Sequence, residues 1–230
     1  MSTATAAGLL LIVVPIAFNV AFALLASQFD YPEILRRPTD DILTRFRDGG
    51  VGLVLLWWGF ALTAVLLAPL VVLTSQSLDG ADAGLLAVAT VVGVLASVLQ
   101  FLGLIRWPFL VPYLARVSVE PDVTAARRQA VDIVFQSLNR YLGVAVGEHL
   151  GYGLTGGWTL LTGVAVTQST TVPGWLGIVG VVVGPTLMLC SLEFVGPFER
   201  TGWKLADQLT PIAYIAWSLW LLATGVALLA

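Results

Sequence analysis

The fold that this sequence predicts is an all-α polytopic bundle of about six transmembrane helices, and three observations lead to it. Hydrophobic residues make up 58% of the chain and charged residues only 11%, and the mean hydropathy is +0.92. Six apolar runs are long enough to cross a bilayer, which takes about 20 residues. The basic residues fall only in alternate linkers between these runs. Because this small number of charged residues could not keep a soluble surface hydrated, we expect lipid to cover most of the exterior.

The six predicted spans form one integral membrane domain over residues 1–230. They cover residues 8–26, 51–74, 84–105, 141–166, 174–195 and 209–229. The first run follows Met1–Ala7, which has no Lys or Arg and so lacks the basic region of a secretory signal. We therefore expect the first run to be retained as a membrane span.

The distribution of basic residues predicts the orientation. All 11 Lys and Arg residues lie in the first, third and fifth linkers, while the second and fourth linkers and both termini have none. Cytoplasmic loops of membrane proteins are enriched in Lys and Arg. The three basic linkers are therefore expected in the cytoplasm and both termini outside, which agrees with an even number of spans.

Two cytoplasmic linkers are expected to contain helices. In residues 39–50, Thr39 is placed to cap the N-terminus of a short amphipathic helix. The apolar face of this helix consists of Ile42, Leu43 and Phe46. Such a pattern is typical of an interfacial helix that lies under the bundle. A second helix, over residues 124–140, is expected to run directly into the fourth span.

Composition also limits the chemistry. The net charge of −3 and the pI near 5.0 provide no basic face, so no nucleic-acid partner is expected. The single cysteine, Cys190, cannot form a disulfide within the chain, and the single histidine, His149, cannot build a multi-histidine metal site. No motif of a hydrolase or a metalloprotease surrounds these residues. We expect no catalytic residue, no metal and no cofactor, and an enzyme is the least favoured class.

The fourth span is rich in glycine. Gly143, Gly147 and Gly151 repeat every four residues, and small residues at this spacing let another backbone approach closely. We therefore expect this helix at the centre of the bundle. The same surface suits packing between two chains, so a homo-oligomer through the fourth span is the alternative.

Four polar residues within the spans form the candidate ligand or proton site. They are Gln100, Glu148, His149 and Glu193. A carboxyl group in the hydrocarbon region costs a few kcal/mol, so it is a functional candidate by default. At about 1.5 Å per residue, the two glutamates and the glutamine lie roughly 9–12 Å inward from the nearest cytoplasmic arginine. The hypothesis is a polar pocket that opens toward the cytoplasm, and the alternative is that these residues only join helices.

Helix geometry predicts which way the fourth-span residues point. On an ideal α-helix, Glu148 shares a side with Gly151 and Thr155, while His149 projects about 100° away, toward Tyr152. The sequence therefore leaves open whether Glu148, His149 and Glu193 share one pocket.

Four segments carry a resemblance to a known family. They are FDYPEILRRP at residues 29–38, RWPFLVPYLA at 106–115, GEHLG at 147–151 and PIAYIAWSLWLL at 211–222. With these segments the chain resembles a bacterial family of multi-span membrane proteins known as a domain of unknown function, DUF4386. The resemblance implies a small helical bundle in the bacterial plasma (inner) membrane. It implies no particular activity, cofactor or catalytic residue.

Two functional hypotheses from different classes follow. In the first, the bundle binds or transports a small molecule, a lipid or a proton through its polar layer. In the second, it is a membrane anchor or regulatory subunit that docks a cytoplasmic partner through residues 29–50 and 117–140. The first is favoured because a buried carboxyl group is costly where nothing uses it.

The predicted orientation can be tested by cysteine labelling. A cysteine in place of Ser77, in the second linker, is expected to react with a membrane-impermeant thiol reagent in whole cells. A cysteine in place of Ser137, in the third linker, is expected to be protected in the cytoplasm. The reverse pattern of labelling would contradict the orientation.

Overall fold

The computed structural model describes residues 2–230, and this part of the chain is helical and contains no strand. The helices are α1 (Thr3–Phe29), α2 (Thr39–Asp48), α3 (Gly50–Ser75), α4 (Ala83–Phe109), α5 (Val111–Val117), α6 (Ala125–Leu138), α7 (Gly151–Gln168), α8 (Gly174–Cys190) and α9 (Lys204–Leu229). A π-helix over Asn139–Leu150 joins α6 to α7, and short 3-10 turns occur at Glu33–Arg36 and Gly196–Phe198. The predicted all-α class is confirmed.

Five of the six predicted spans lie within long helical segments, and the fifth extends past the end of α8. Four segments of the described chain are long and apolar enough to cross a membrane, namely α1, α3, α4 with α5 (Ala83–Val117), and α9. Helix α8 is apolar but has only 17 residues. The fourth apolar run falls on the π-helix and α7. These helices support a membrane protein, while the count of six spans and the outward position of both termini stay predictions.

Contacts between linkers define two ends of the bundle. At one end, the second and fourth linkers meet where the amide of Thr170 donates to the carbonyl oxygen of Asp79 at 3.0 Å. At the other end, Arg36 of the first linker pairs with Asp207 of the fifth at 2.8 Å. The linkers that carry the basic residues are therefore together, as an alternating bundle requires.

The six long helices pack as a closed ring. Each contacts its neighbours in the order α1, α3, α4, α7, α8 and α9, and α9 returns to α1. Side chains fill the interior, where the indole nitrogen of Trp217 on α9 donates to the Thr159 hydroxyl on α7 at 2.9 Å. Helix α7 is thus one member of the ring and not its centre, because its glycines are used by the two adjacent helices, α4 and α8.

The amphipathic helix after α1 is confirmed as α2. Its residues Ile42, Leu43 and Phe46 are buried, and α2 packs against α5 and α6. The predicted cap is wrong, since Pro38 occupies the N-cap and Thr39 is the first helical residue. The Thr39 hydroxyl is instead used in tertiary contacts, donating to Asp132 of α6 and accepting from Gln136.

The second predicted linker helix is confirmed as α6. The Thr124 side chain accepts a hydrogen bond from the Arg127 amide at 3.2 Å and caps it. Helical structure then continues without a break through the π-helix into α7. Only Val131 and Phe135 of α6 are buried, so most of this helix is exposed.

Glycine-to-backbone contacts hold α7 against α8. A methyl group built on Gly156 would overlap the Gly184 carbonyl oxygen, and one built on Gly184 would lie 2.6 Å from the Gly156 carbonyl oxygen. One built on Gly163 would lie 2.8 Å from the Gly177 carbonyl oxygen. Such short distances leave no room for a side chain, so the glycine surface is filled within one chain.

The structure changes one labelling position for the topology test. Ser77 is only 6% exposed, and its hydroxyl donates to the Leu73 carbonyl oxygen at 2.8 Å. A cysteine there would be shielded whichever side it faces. Gln76 is exposed and belongs to the same linker, and Ser137 is exposed in α6. We expect a cysteine at Gln76 to be labelled from outside and one at Ser137 to be protected, in a Cys190→Ser background.

Substitution Gly156→Ala is expected to lower stability by about 1–3 kcal/mol, because the added methyl group forces α7 away from α8. Gly59→Ala is the matched control, since Gly59 is also within a helix but has nothing within 4 Å of the added methyl group. Alanine has the higher helix propensity, so this control should unfold at the same or a higher temperature. Thermal unfolding in detergent measures both variants, and equal destabilisation would contradict the packing.

Candidate functional site

Three of the four predicted polar residues line one cavity. Its volume is about 240 Å³, and Glu148, His149 and Glu193 are all in its wall. Gln100 is not part of it. The complete lining is Arg140, Val144, Ala145, Glu148, His149, Tyr152, Cys190, Ser191, Glu193, Phe194, Val195 and Glu199.

The cavity lies where two helical segments separate. Along α7 and α8 the glycine contacts keep the backbones together as far as Gly153, where an added methyl carbon would lie 3.7 Å from the Ser191 Cβ. Beyond this point the π-helix and the chain after Cys190 diverge. The π-helix forms one wall and residues 190–199 form the other.

The π-helix explains why Glu148 and His149 face the same cavity. Its hydrogen bonds join residues five apart, so each turn contains more residues than an α-helical turn. Successive side chains therefore rotate by less than the roughly 100° of an α-helix. Glu148 lines the cavity together with His149 and Tyr152, while Gly151 and Thr155 are not in its lining.

The fifth predicted span is too long at its C-terminal end. Helix α8 ends at Cys190, and residues 191–195 form turns. Glu193 therefore lies beyond the helix, where its carbonyl oxygen accepts a hydrogen bond from the Trp203 amide at 2.7 Å. Two glycines with positive φ, Gly196 (63°) and Gly202 (74°), let the chain reverse on either side of the second 3-10 turn. The apolar run did not reveal this end because Val195 continues it.

His149 connects the two walls. Its Nδ1 lies 2.8 Å from the Ser191 carbonyl oxygen. A carbonyl oxygen only accepts, so Nδ1 carries the proton and donates. In the neutral ring the other nitrogen, Nε2, is then a hydrogen-bond acceptor.

Only some of the charged groups around the cavity have a partner of opposite charge. Arg140 forms an ion pair with Glu199, and both are about half exposed. Within residues 2–230, the carboxyl groups of Glu148 and Glu193 make no salt bridge within 4.0 Å. Two acidic groups therefore remain without a directly paired cation.

Arg106 lies behind Glu148, outside the cavity lining. One guanidinium nitrogen donates to the Asn139 side chain at 2.8 Å, and another donates to the Gly103 carbonyl oxygen. An added methyl group on Gly143 would lie 2.5 Å from this guanidinium. The glycine therefore makes space for the arginine between α4 and the π-helix, where its charge acts on Glu148 without direct contact.

Tyr31, in the first linker, belongs to the same electrostatic environment. Burial raises the pKa of its phenol above the usual value, the Glu148 carboxylate raises it further, and the Arg106 guanidinium opposes both. The phenol therefore stays neutral at every physiological pH. Its ring packs edge-on against Trp57 with a centroid distance of 5.0 Å, so the first linker is folded tightly against the bundle.

Gln100 has a different role. It is 9% exposed, and its side-chain amide donates to the Thr155 hydroxyl at 2.5 Å. That hydroxyl in turn donates to the Gly151 carbonyl oxygen at 2.7 Å. An added methyl group on Gly151 would lie 3.0 Å from the Gln100 Cγ, so this glutamine joins α4 to α7.

Several residues of the cavity were not among the predicted site residues, chiefly Arg140, Tyr152 and Glu199. Arg140, Glu148 and Tyr152 lie on one helical segment, eight and four residues apart. This spacing is a sequence signal that the three residues lie close together on the helix. Glu199 gives no such signal, because it reaches the cavity only through the reversal of the chain after α8. No group of three or more His, Cys, Asp or Glu in residues 2–230 is arranged to hold a metal ion.

The ring of apolar helices and the polar cavity at one end define a helical membrane protein with a small, partly exposed polar site. The family comparison agrees with this class. The chain belongs to the family described as domain of unknown function (DUF4386), whose sequence model matches residues 6–225. No curated protein and no solved structure matches the chain.

A double-mutant cycle should show that Gln100 is structural. Gln100→Leu and Thr155→Val are each expected to destabilise the protein, with a coupling energy of about 0.6–2 kcal/mol between them. Unfolding of the single and double variants in detergent measures this coupling. Purely additive effects would contradict the hydrogen bond as a stabilising contact.

Proposed function

We propose that this protein binds a small ligand in the cavity between the π-helix and residues 190–199. The observation that carries the proposal is that Glu148, His149 and Glu193, which are 45 residues apart at most, converge on one cavity of about 240 Å³. Carboxyl groups within a membrane bundle are costly unless they are used. Convergence of such groups with a histidine on a concave, mostly apolar surface is typical of binding sites.

The cavity also suits a coupling between binding and protonation. Glu148 and Glu193 are acids without a direct counter-charge, and His149 keeps one free ring nitrogen. A ligand that enters this site changes the electrostatic surroundings of all three groups, so its binding would be linked to their proton occupancy. Transport across the bilayer would further require the closed ring to open, and we restrict the proposal to binding.

The proposed setting is the plasma (inner) membrane of a bacterium, with residues 1–230 acting as one domain. The family match and the four long apolar helices support a membrane location. The end of the bundle that holds the cavity also holds the basic linkers, which supports a cytoplasmic position for the cavity. Self-association through the fourth span would need a surface beyond the glycines that α4 and α8 occupy.

The anchor hypothesis remains the second candidate, and one observation favours it. Most of α6 is exposed, including the apolar residues Ile133 (57%) and Val134 (40%). The apolar face of α2, in contrast, is buried within the protein. A cytoplasmic partner would therefore contact α6 and the outward arginines of α2, Arg45 and Arg47.

Native mass spectrometry of the purified protein, released gently from detergent, tests the proposal. We expect a discrete added mass on the wild type that is lost in Glu148→Gln, because the neutral amide removes one charged acceptor of similar size. Glu120→Gln is the matched control, since the Glu120 side chain is 40% exposed and pairs with Arg127 at 2.9 Å, and such surface pairs contribute little.

Two results would contradict the binding proposal. One is a bare chain in both the wild type and Glu148→Gln. The other is a co-purifying protein that both retain but that charge reversal at Arg45 and Arg47 removes, which would favour the anchor hypothesis.

A further inference from the structure

The hydrogen-bonding groups of the cavity wall are mostly acceptors. Neither Glu148 nor Glu193 makes a side-chain hydrogen bond or a salt bridge within residues 2–230. The Nδ1 proton of His149 is used by the Ser191 carbonyl oxygen, which leaves Nε2 as an acceptor. The Ser191 hydroxyl donates to the Met188 carbonyl oxygen at 2.7 Å, so only its lone pairs are free.

The two arginines near the cavity are partly engaged, while the Tyr152 hydroxyl in the lining is a free donor within residues 2–230. Arg140 pairs with Glu199 through its guanidinium. Arg106 donates to Asn139 and to the Gly103 carbonyl oxygen, outside the lining. Two free carboxylates and the His149 Nε2 offer more acceptor sites than the one Tyr152 hydroxyl can fill, so a ligand that satisfies this wall must bring donors of its own.

The net charge of the lining also indicates which kind of ligand it would bind. With its carboxyl groups ionised, the lining has three negative charges, from Glu148, Glu193 and Glu199, and one positive charge, from Arg140. Arg106 behind Glu148 adds a second positive charge, and Arg36 near Glu193 is itself paired with Asp207. One negative charge is left over, and a ligand with a single positive charge would balance it.

The remaining surface sets the size and polarity of the ligand. Apolar side chains complete the lining, chiefly Val144, Phe194 and Val195. The volume of about 240 Å³ is below the roughly 300–1,000 Å³ typical of drug-sized ligands. The ligand group in the cavity is therefore small, with a charged end and a short apolar body.

We propose that the cavity binds an organic ammonium group, held by Glu148, Glu193 and His149. This inference rests on the proposed binding function and specifies its chemistry. An ammonium group has three donors and no acceptor, which matches three acceptors on the wall. The group can come from a free amine or from the amine-bearing headgroup of a lipid, since the lining includes the exposed apolar residue Val195, and the exposed Leu150 and Leu192 follow the lining residues His149 and Ser191 in sequence.

Three probes with the same four-carbon chain test the charge requirement. They are n-butylammonium, 1-butanol and butyrate, added to the full chain in phosphatidylcholine nanodiscs and followed by calorimetric titration. We expect binding of n-butylammonium only, weakened about tenfold or more in Glu193→Gln and in Glu148→Gln. The control Glu120→Gln should bind as the wild type does, and all variants must elute as folded protein.

A second arm distinguishes the two sources of the amine. Native mass spectrometry from nanodiscs with and without phosphatidylethanolamine should show retention of that lipid by the wild type and its loss in Glu193→Gln if the source is a lipid. Binding of n-butylammonium without retention of the lipid assigns a free amine. Either result supports the ammonium site.

Other outcomes overturn the inference. Butanol or butyrate that binds as well as n-butylammonium would show that charge is not recognised, and so would the absence of binding by every probe. If the wild type retains a mass without an amine and Glu148→Gln loses it, the binding function stands and the ammonium chemistry is wrong.

Discussion

Close backbone contact between α7 and its two neighbours is the constraint on which the rest of the structure depends. Gly156 of α7 meets Gly184 of α8. In the π-helix that leads into α7, Gly147 lies against Gly103 of α4, where a methyl carbon added to Gly103 would be 2.7 Å from the Gly147 Cα. In a bilayer, such contacts replace the hydrophobic effect, which does not act between helices surrounded by lipid. They fix three consecutive members of the ring, and the remaining helices close it.

The same constraint creates the cavity. Where glycines face each other, α7 and α8 leave no space between them. Once α8 ends at Cys190, the backbones separate and polar side chains line the opening. The π-helix turns Glu148 and His149 into this opening, and the reversal after α8 brings Glu193 and Glu199 to the opposite wall. The polar site therefore follows from where glycine packing stops, and not from a separate binding domain.

Much of this could be predicted from the sequence, because apolar run length and glycine spacing report directly on helices in lipid. The helical class, α2 and α6 followed from periodicity. The sequence did not predict the features that depend on long-range partners or on altered helical geometry. Thr39 is not a cap because Asp132 is within reach of its hydroxyl. Gln100 is not in the cavity lining, and its amide donates to Thr155 instead. The π-helix that carries Glu148 and His149 is not indicated by residue spacing.

Disulfide formation across the point of divergence tests this account most directly. With Cys190 replaced by serine, the pair Gly153→Cys and Ser191→Cys is expected to cross-link under mild oxidation, because the Cβ separation of 3.7 Å is close to the roughly 3.8 Å of natural disulfides. The pair Gly157→Cys and Ser191→Cys is the control, since Gly157 faces Val92 of α4. Peptide mass measurement should find the bridge in the first pair only. Absence of that bridge, or equal cross-linking of the control pair, would contradict the placement of α7 and the cavity wall.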